Sequence, residues 1–552
     1  MTASTDAIVS NGHGHSSKAT ATNGTSTSTD ERPTALDLSH HLSLLARSRR
    51  ASPLKDIIRY MAVPGIISLA GGLPPAAYFP FHSVSASAYP ASTVLDPETG
   101  TPPADSVEVV IPRHKTSDTA FDIAGGLQYT GGSGLAKFAE LCKDLTERMW
   151  EPVYSDWDIL VNSGGTDAWT KVITMLLERG EYVITETQVY PSAQASFIPM
   201  GVTAFPIEDD GEGMRADALE AALAGWDESR GRRPRVMYLV PVGQNPLGTT
   251  MGAQRRQAIY DVCVKYDVVI IEDDPYTVLQ FEPWVVGSKS HPPVPAKTNE
   301  DVAAFLDSMV KSFLTIDVQG RVIRLDTFSK TLAPGARLGW FTGSKMFIER
   351  LLRGTEVQTQ MPSGISSVVI GELLNKWGLD GYLLWITNLR EQYRVRRDWM
   401  LDALSASFDL VPAESTNVAG AIGLVAYPKG QAHTGPALMS FVPPTGGMFV
   451  WCRMYYRTHP QFASFAASYK PEHPEDGDAT QAFEAKFWVR LVEALVLLTP
   501  GWYFTAFEGE GVSSYGQPGV GAFRLAFSFE PKDLQEEGIR RMARVMTEEW
   551  CA

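Results

Sequence analysis

The sequence predicts an α/β protein with a mostly parallel sheet covered by helices on both faces, followed by a smaller α+β domain. Between residues 126 and about 380, short β-branched and aliphatic runs alternate with segments whose apolar residues recur at helical spacing. Several of these runs end in polar turns, which is typical of the ligand-binding edge of open α/β sheets. From residue 381 a long helical segment leads into the smaller domain.

The strands of the larger domain are short apolar runs, and they are predicted at residues 159–161, 182–185, 236–240, 268–271 and 322–325. Helices are predicted over residues 135–149, 254–265 and 381–404. We therefore predict four regions: a disordered tail (1–34), an arm that includes part of the small domain (35–125), a large domain (126–380) and a C-terminal small domain (381–552).

Composition excludes several classes of function. A net charge of −15 and a pI near 5.2 argue against general binding of nucleic acid or of anionic membranes. No run of about 18 apolar residues is present that would span a bilayer. The four cysteines lack paired spacing and the ten histidines lack ligand spacing, so we expect a reducing compartment and no metal. The Ser/Thr-rich tail resembles neither a secretory signal nor a transit peptide, which favours the cytoplasm.

Lys330 is the first candidate functional residue, because it follows the predicted strand at 322–325 and precedes a turn that contains Arg337. A lysine at the carboxyl end of an α/β strand can meet a bound aldehyde. Schiff-base chemistry needs a partly neutral amine, and burial or nearby cations lower the pKa of a lysine in that direction. By itself such a lysine is more often a solvated loop residue.

Polar residues after the other strands fit a pyridoxal phosphate ring. Asp273 can hold the proton of the ring nitrogen, and we choose it over Asp274 because it stands three residues before Tyr276. Asp274 is instead expected to cap or orient the turn. Asn245 and Tyr276 can donate hydrogen bonds to the ring oxygen.

The remaining candidates suit the phosphate and the ring face. Backbone N–H groups at a helix start, hydroxyl groups and a permanent cation bind a dianion, and the candidates are Gly165, Thr166, Thr327, Ser329 and Arg337. Tyr190 is a candidate for stacking on the ring, with a core tyrosine as a nearly equal alternative.

Taken together, these motifs resemble those of the fold-type I, pyridoxal phosphate-dependent class I/II aminotransferases, and most closely the aromatic and 2-aminoadipate (kynurenine-type) branch with its long fungal members. The matching segments run from about residue 50 to the end of the chain and are ISLAGGLPPAAYFPF (67–81), GLQYTGGSGLAKF (126–138), NSGGTDAW (162–169), ETQVYP (186–191), GQNPLG (243–248), IEDDPY (271–276), TFSKTLAPGARLGW (327–340), PTGGMFVW (444–451) and FRLAFSF (523–529).

The resemblance implies a seven-stranded sheet, the cofactor pyridoxal 5'-phosphate and a homodimer with a shared active site. It implies that Lys330 is the Schiff-base lysine and proton-transfer base, and that Arg524 and Asn245 bind the substrate α-carboxylate. Tyr129 matches a position that reaches the neighbouring subunit's active site, and Gly72 matches a backbone segment lining the substrate pocket. Lys55 stands where relatives can carry an arginine.

The chain departs from the family pattern at residues 85–118, 285–317 and 413–442, which are polar and proline-rich and are predicted to be surface insertions. We expect a transaminase that moves the amino group of phenylalanine, tyrosine or tryptophan to a 2-oxo acid such as 2-oxoglutarate, with kynurenine, 2-aminoadipate or leucine as further donors. The alternatives are a lyase or cyclopropane-carboxylate-synthase-like enzyme of the same fold, and a non-enzymatic amino-acid-sensing regulator. The sequence leaves the direction of the pathway open.

Overall fold

The structure is a computed structural model that describes residues 31–51, 60, 63–70, 72–96, 98, 100, 104–287, 297–473, 477–509 and 517–551. Most of the predicted tail, and Lys55, lie outside the described residues.

The strands along the chain are β1 (Ser83–Ala88), β2 (Val107–Pro112), β3 (Trp157–Asn162), β4 (Tyr182–Glu186), β5 (Thr203–Ile207), β6 (Asp209–Asp210), β7 (Gly213–Met214), β8 (Val236–Leu239), β9 (Val269–Asp273), β10 (Val322–Thr327), β11 (Gly339–Ser344), β12 (Phe408–Pro412), β13 (Leu424–Pro428), β14 (Met439–Phe441), β15 (Phe449–Tyr455), β16 (Thr499–Pro500) and β17 (Val520–Ala526). The α-helices are α1 (Leu44–Ser48), α2 (Ile123–Gly126), α3 (Ala136–Trp150), α4 (Gly165–Leu176), α5 (Pro191–Phe197), α6 (Ala216–Ala224), α7 (Ala253–Tyr266), α8 (Asn299–Ser308), α9 (Lys345–Gln358), α10 (Gly364–Ser407), α11 (Phe462–Ser468), α12 (Ala479–Glu493) and α13 (Lys532–Cys551).

The large sheet has seven strands in the order β3–β11–β10–β9–β8–β4–β5, and β11 alone runs antiparallel to its neighbours. This confirms the predicted mostly parallel sheet. Its central strands are buried along nearly their whole length, because helices cover the sheet and leave no solvated face. The predicted strands all fall inside this sheet and end at one common edge.

The C-terminal sheet has six strands in the order β12–β13–β14–β15–β17–β16, all paired antiparallel. The prediction that residues 413–442 form a surface insertion is wrong for β13 and β14, since every residue of these two strands is buried inside this sheet, while the connections between the strands are largely exposed. The glycines that suggested a loop belong to the connections between short strands, and Pro428 is the last residue of β13. The limits of the four predicted domains stay predictions.

The other two predicted insertions each bury one face. Strands β1 and β2 form a hairpin whose Val109 and Ile111 are buried against α10. Helix α8 starts at a capping box formed by Thr298 and Asp301, and it packs Phe305 against α10. These two segments are therefore not purely surface insertions, because some of their apolar side chains are buried and extend the hydrophobic core.

Helix α10 begins earlier than predicted and is interrupted at Gly378, where the backbone takes φ 70° and ψ 172°. A left-handed φ of this kind is strained for residues with a side chain, so glycine marks the break. The predicted helix from residue 381 is the part after it. In the described part of the chain, no helix has both the length and the apolar character needed to cross a membrane.

The N-terminal segment is held to the large domain by Asp267, whose carboxylate oxygens lie 2.6 Å from His40 Nε2 and 3.0 Å from His41 Nε2. His41 is fully buried, and burial lowers its pKa from 6.5 to about 4 in spite of Asp267. Arg235 and His40 also face it and oppose a positive charge.

We expect this histidine to make folding sensitive to acid. Because its folded-state pKa lies below the unfolded value, its contribution to stability is present above pH 6.5 and is lost as the pH falls towards 4. The loss amounts to about 3.5 kcal/mol at most, for a shift from 6.5 to about 4 at roughly 1.4 kcal/mol per pKa unit. Urea unfolding between pH 7 and pH 4 tests this, since His41→Phe should flatten that part of the profile and an equally steep profile would contradict it.

Candidate active site

The strands β3, β4, β8, β9 and β10 end at one edge of the large sheet, where the predicted turns meet. Asp273 is the last residue of β9 and is paired with Leu325 of β10, whose following turn carries Lys330. Gly165 starts α4 directly after β3, and Tyr190 is the residue before α5. Parallel strands with helical crossovers bring their carboxyl ends to the same edge, which explains the convergence.

Asp273 shares a small cavity with Gly165, Thr166, Tyr190 and Tyr238. The Tyr238 hydroxyl donates a hydrogen bond of 2.7 Å to Asp273 Oδ2. Enclosure by the protein raises the pKa of Asp273 to about 7, and the bond from Tyr238 opposes that rise. A partner cation at this carboxylate would therefore decide its charge state. Tyr190 is 36% exposed beside this cavity, so the alternative of a core tyrosine is wrong.

Tyr238 was not predicted from the sequence, because it lies inside a strand and not in a turn that follows one. It lies inside β8 and faces Ile271 of β9, two residues before Asp273. A tyrosine in an otherwise aliphatic buried strand was the available signal, because a buried hydroxyl requires a hydrogen-bond partner.

The Lys330 amine lies in a cationic, partly buried environment. Burial lowers the pKa of this lysine, and the guanidinium of Arg524 lowers it further. Arg524 Nη1 donates a hydrogen bond of 2.7 Å to Asn245 Oδ1, and the guanidinium lies 4.3 Å from the ring centre of Phe449. Arg524 Nε is buried without a hydrogen-bond partner among the described residues, so a donor is left for a bound anion.

Tyr276 is 5% exposed and contacts the Phe449 ring edge-on. Burial raises the pKa of its hydroxyl, and the charge of Asp273 adds to the rise. The hydroxyl therefore stays protonated at neutral pH and is a hydrogen-bond donor.

The candidate anion site forms where the N-terminus of α4 meets the turn after β10. Thr327 Oγ1 lies 2.9 Å from Ser329 Oγ, and Arg337 Nη1 lies 3.4 Å from the same Ser329 oxygen. Gly164 has φ 94°, and a Cβ there would lie 2.5 Å from Arg337 Nη2, so only glycine allows this approach. The N-cap residue of α4 provides no side-chain hydrogen bond, which leaves the first N–H groups of the helix for an anion.

An ion pair between Lys171 and Asp167 stabilises the start of α4. Asp167 Oδ2 accepts hydrogen bonds from the Ser163 N–H, at 3.1 Å, and from Lys171 Nζ, at 2.7 Å. Lys171 is 4% exposed and also donates to the Thr359 hydroxyl. The pair fixes the turn that carries Gly165.

Two predicted site residues do not join this group within one chain. Tyr129 is 58% exposed, and Gly72 is exposed as well. They lie near each other through a hydrogen bond from Gln128 Nε2 to the Pro74 carbonyl. Their predicted roles involve the neighbouring subunit and stay predictions.

Asp274, which was expected to cap or orient the turn, interacts with the Thr277 side chain in that turn and also belongs to a buried ion-pair cluster behind Asp273. Arg324 Nη1 lies 3.1 Å from Glu272 Oε1 and 3.3 Å from Asp274 Oδ2, and Arg324 Nη2 lies 3.0 Å from Asp326 Oδ1. Arg256 also contacts Glu272, at 3.3 Å. We call these five residues the Arg324 cluster.

Known proteins resemble the chain in sequence and in structure. The family model for aminotransferase class I and II matches residues 94–511. An aromatic amino acid aminotransferase of Schizosaccharomyces pombe is 35% identical over 75% of this chain and 81% of its own length. An L-tyrosine:2-oxoglutarate aminotransferase of Tapinella panuoides is 32% identical over 78% of this chain and 76% of its own length. The solved structure of aminotransferase Aro8 from Candida albicans has a TM-score of 0.80 at 33% identity, with 94% of this chain and all of that chain covered.

Proposed function

The chain belongs to the class I and II aminotransferases, which are pyridoxal phosphate-dependent transaminases of fold type I, and from this premise we propose that it transfers the amino group of phenylalanine, tyrosine or tryptophan to 2-oxoglutarate. The observation that carries the substrate class is the similarity to fungal aromatic and tyrosine:2-oxoglutarate aminotransferases over most of the chain. Kynurenine and 2-aminoadipate are the alternative donors.

The residues at the sheet edge fit the cofactor. The uncapped start of α4 and the close approach of Arg337 to Gly164 suit a phosphate dianion, with Gly165, Thr166, Thr327 and Ser329 completing the set. Asp273 would hold the ring nitrogen, Asn245 and Tyr276 the ring oxygen, and Tyr190 one ring face. When bound, pyridoxal phosphate supplies an aldehyde for an amine and a ring that withdraws electrons from the substrate α-carbon.

Two side chains act on the substrate. Lys330 Nζ, whose pKa is lowered by burial and by Arg524, is able to take the proton from the substrate α-carbon as a neutral amine. Arg524 binds the α-carboxylate through its guanidinium, held in place by Asn245 Oδ1 and by the Phe449 ring. Since all donors carry the same carboxylate, the specificity for the side chain must come from other residues.

We expect Arg524→Ala to raise the KM of every amino donor by a similar factor, about 10- to 100-fold, because a charge-assisted hydrogen bond contributes roughly 1.5–3 kcal/mol. Steady-state kinetics with phenylalanine, tyrosine and 2-aminoadipate measure it. Arg490→Ala, which removes an exposed arginine on α12, is the control. Loss of a single donor with the others unaffected would contradict the role of Arg524.

We expect Tyr238→Phe to weaken cofactor binding about tenfold at pH 8, because Asp273 loses the donor that favours its ionised form. Titration of the cofactor-free protein with pyridoxal phosphate, followed by absorbance, measures the Kd. Tyr260→Phe removes a similar bond to Asp317, which lies at the amino end of β10, away from the cofactor edge, and should leave the Kd unchanged. Equal Kd values for Tyr238→Phe and the unmodified protein would show that Tyr238 does not influence Asp273.

The donor class is tested by following the cofactor absorbance while single amino acids are added. Conversion to the amine form by phenylalanine, tyrosine and tryptophan, at lower concentrations than by aliphatic amino acids, is the expected result. A lyase would turn over without 2-oxoglutarate and release ammonia with a keto acid such as pyruvate. A sensing regulator would bind amino acids without turnover under any of these conditions.

We also propose a cytoplasmic homodimer with shared active sites. Apolar side chains next to Gly72 are largely exposed in one chain, including Ile67 at 85% and Leu69 at 95%, and a second copy would cover them. Tyr129 and Gly72 would then complete the partner's substrate pocket. Mixing inactive Tyr129→Ala and Lys330→Ala subunits tests this proposal. Hybrid dimers have one intact site if the sites are shared, so activity should be regained. If activity does not recover after subunit exchange has been verified, the active sites are not shared.

A further inference from the structure

A second cavity, of about 540 Å³, lies between the large domain and the C-terminal sheet. On the large-domain side it is bordered by the segment after β4 and by the start of β6, and on the other side by β15 and β17. A cavity of this volume is within the range of small-molecule sites, roughly 300–1,000 Å³. Its mouth includes Ala419, which is exposed. None of the side chains assigned to the cofactor or to the substrate carboxylate borders it.

The polar wall of this cavity contains one buried acid, Asp209, with a second acid behind it and one arginine beside it. Asp209 has a side chain only 4% exposed and accepts a hydrogen bond from the Thr187 hydroxyl. Glu186, buried just behind it, adds a second carboxyl group. Burial raises the pKa of both acids, that of Glu186 to about 8. Because burial disfavours the ionised form of these acids, an ammonium group bound next to Asp209 would compensate the charge that its carboxylate carries there.

Arg453 is available to a ligand. Its Nη2 lies 3.5 Å from Asp209 Oδ1, too far for a good hydrogen bond, and among the described residues its guanidinium makes no hydrogen bond. A guanidinium with unused donors at a cavity wall suits a carboxylate. Apolar side chains border the cavity next to Arg453, namely its cross-strand partner Ala522, Trp451 two residues earlier on β15, and Leu247.

A metal ion is the weaker alternative. In the described ranges, the group of histidine and acidic side chains close enough to share a metal is His40, His41 and Asp267, away from this cavity. A volume of about 540 Å³ also exceeds what one ion requires. The paired opposite charges and the apolar wall instead match an organic molecule that has an ammonium, a carboxylate and an apolar part.

We propose that this cavity is a second amino-acid site, in which Asp209 binds the ammonium and Arg453 the carboxylate of an α-amino acid with an apolar side chain. The side chain of the ligand packs on Leu247 and Trp451. The site is distinct from the substrate site, because none of the side chains assigned to the cofactor or the substrate carboxylate borders it.

The structure provides a short path from this site to the substrate carboxylate. Trp451 of β15 is paired with Arg524 of β17, and its ring contacts Phe504 edge-on at 5.8 Å. The Arg524 guanidinium lies 4.9 Å from the ring centre of the same Phe504. Phe504 therefore contacts both Trp451, which borders the cavity, and Arg524, which we assign to the substrate carboxylate.

The experiment measures binding rather than turnover. The enzyme is loaded with pyridoxamine phosphate, so that an amino donor is not consumed, and L-phenylalanine binding is measured by equilibrium dialysis. We expect that L-phenylalanine still binds to Arg524→Gln. Binding should be weakened about tenfold or more in Asp209→Asn and in Arg453→Gln. Ala419→Trp should block binding. N-Acetyl-L-phenylalanine, which lacks the ammonium, should compete at least tenfold less well.

The proposal is overturned if Arg524→Gln abolishes all binding, since the ligand would then occupy only the substrate site. It is also overturned if Asp209→Asn and Arg453→Gln bind normally, or if the N-acetyl compound competes equally. Circular dichroism establishes that each variant is folded. Should the buried Asp209→Asn variant fail to fold, Ala419→Trp at the exposed mouth still decides the question, because unchanged binding in that variant excludes the cavity. Since dialysis does not depend on transamination, this outcome is independent of the proposed activity.

Discussion

Lys330→Ala is expected to lower kcat by at least about 10⁴-fold, because it removes both the amine that binds the cofactor covalently and the base that moves the α-proton. The structure supports both roles, since Lys330 is partly buried at the sheet edge and its pKa is lowered by burial and by Arg524. The variant should still bind pyridoxal phosphate noncovalently, because the residues of the phosphate site are unchanged.

Two measurements separate this result from a folding defect. Borohydride reduction of the unmodified holoenzyme, followed by peptide mapping, should place the cofactor on Lys330 and on no other lysine. Lys345→Ala, which removes an exposed lysine at the start of α9, should keep full activity and covalent cofactor. Covalent cofactor in Lys330→Ala, or a tag on another lysine, would show that the anchor is misassigned.

Arg324→Ala is expected to lower the free energy of unfolding by about 3–5 kcal/mol, because it leaves buried carboxylates without their main partner. Arg324 is fully buried, contacts Glu272, Asp274 and Asp326 within 3.3 Å, and lies 4.3 Å from the ring centre of Trp150. Without it, one arginine of the Arg324 cluster remains for these three acids. The acids would then favour the protonated form in the folded state, so the loss of stability should grow as the pH rises from 5 to 8.

Urea unfolding followed by circular dichroism at pH 5 and pH 8 tests this result. The control is Arg490→Ala, whose ion pairs with Glu493 and Glu549 are exposed to solvent and should contribute less than about 1 kcal/mol. A loss in Arg324→Ala as small as in the control would mean that the cluster contributes little to stability. A large loss without pH dependence would assign the effect to packing instead of charge.

Five of the seven strands of the large sheet were predicted because each is a short apolar run closed by a polar turn, whereas β5 and β11 were not predicted. The helix predicted over residues 135–149 corresponds to α3, Ala136–Trp150, since its apolar spacing matches one buried face. The C-terminal sheet was harder to predict. Its strands β13 and β14 are only a few residues long and are separated by glycine and proline, so their burial depends on partners distant in the chain.

The residues of the candidate site also fall into two groups, those that local motifs predict and those that they do not. Lys330, Asp273 and Asn245 stand in local motifs at strand ends, and their positions in the fold follow from the order of the strands. Tyr238 and the Arg324 cluster were not predicted as partners of this site, because their contacts run sideways between neighbouring strands. Those contacts depend on strand order and register, which no single segment of the sequence predicts.

The sequence by itself determined the family, the cofactor and the lysine expected to bind it, because that chemistry requires particular residue types at fixed places in short motifs. Only the tertiary structure decided the neighbours of each group: the hydroxyl against Asp273, the guanidinium of Arg524 beside Lys330, and the cavity that contains Asp209 and Arg453. The physical reason is that charge, burial and hydrogen bonding depend on distances across the fold, and those distances are set when the two sheets and their helices pack together.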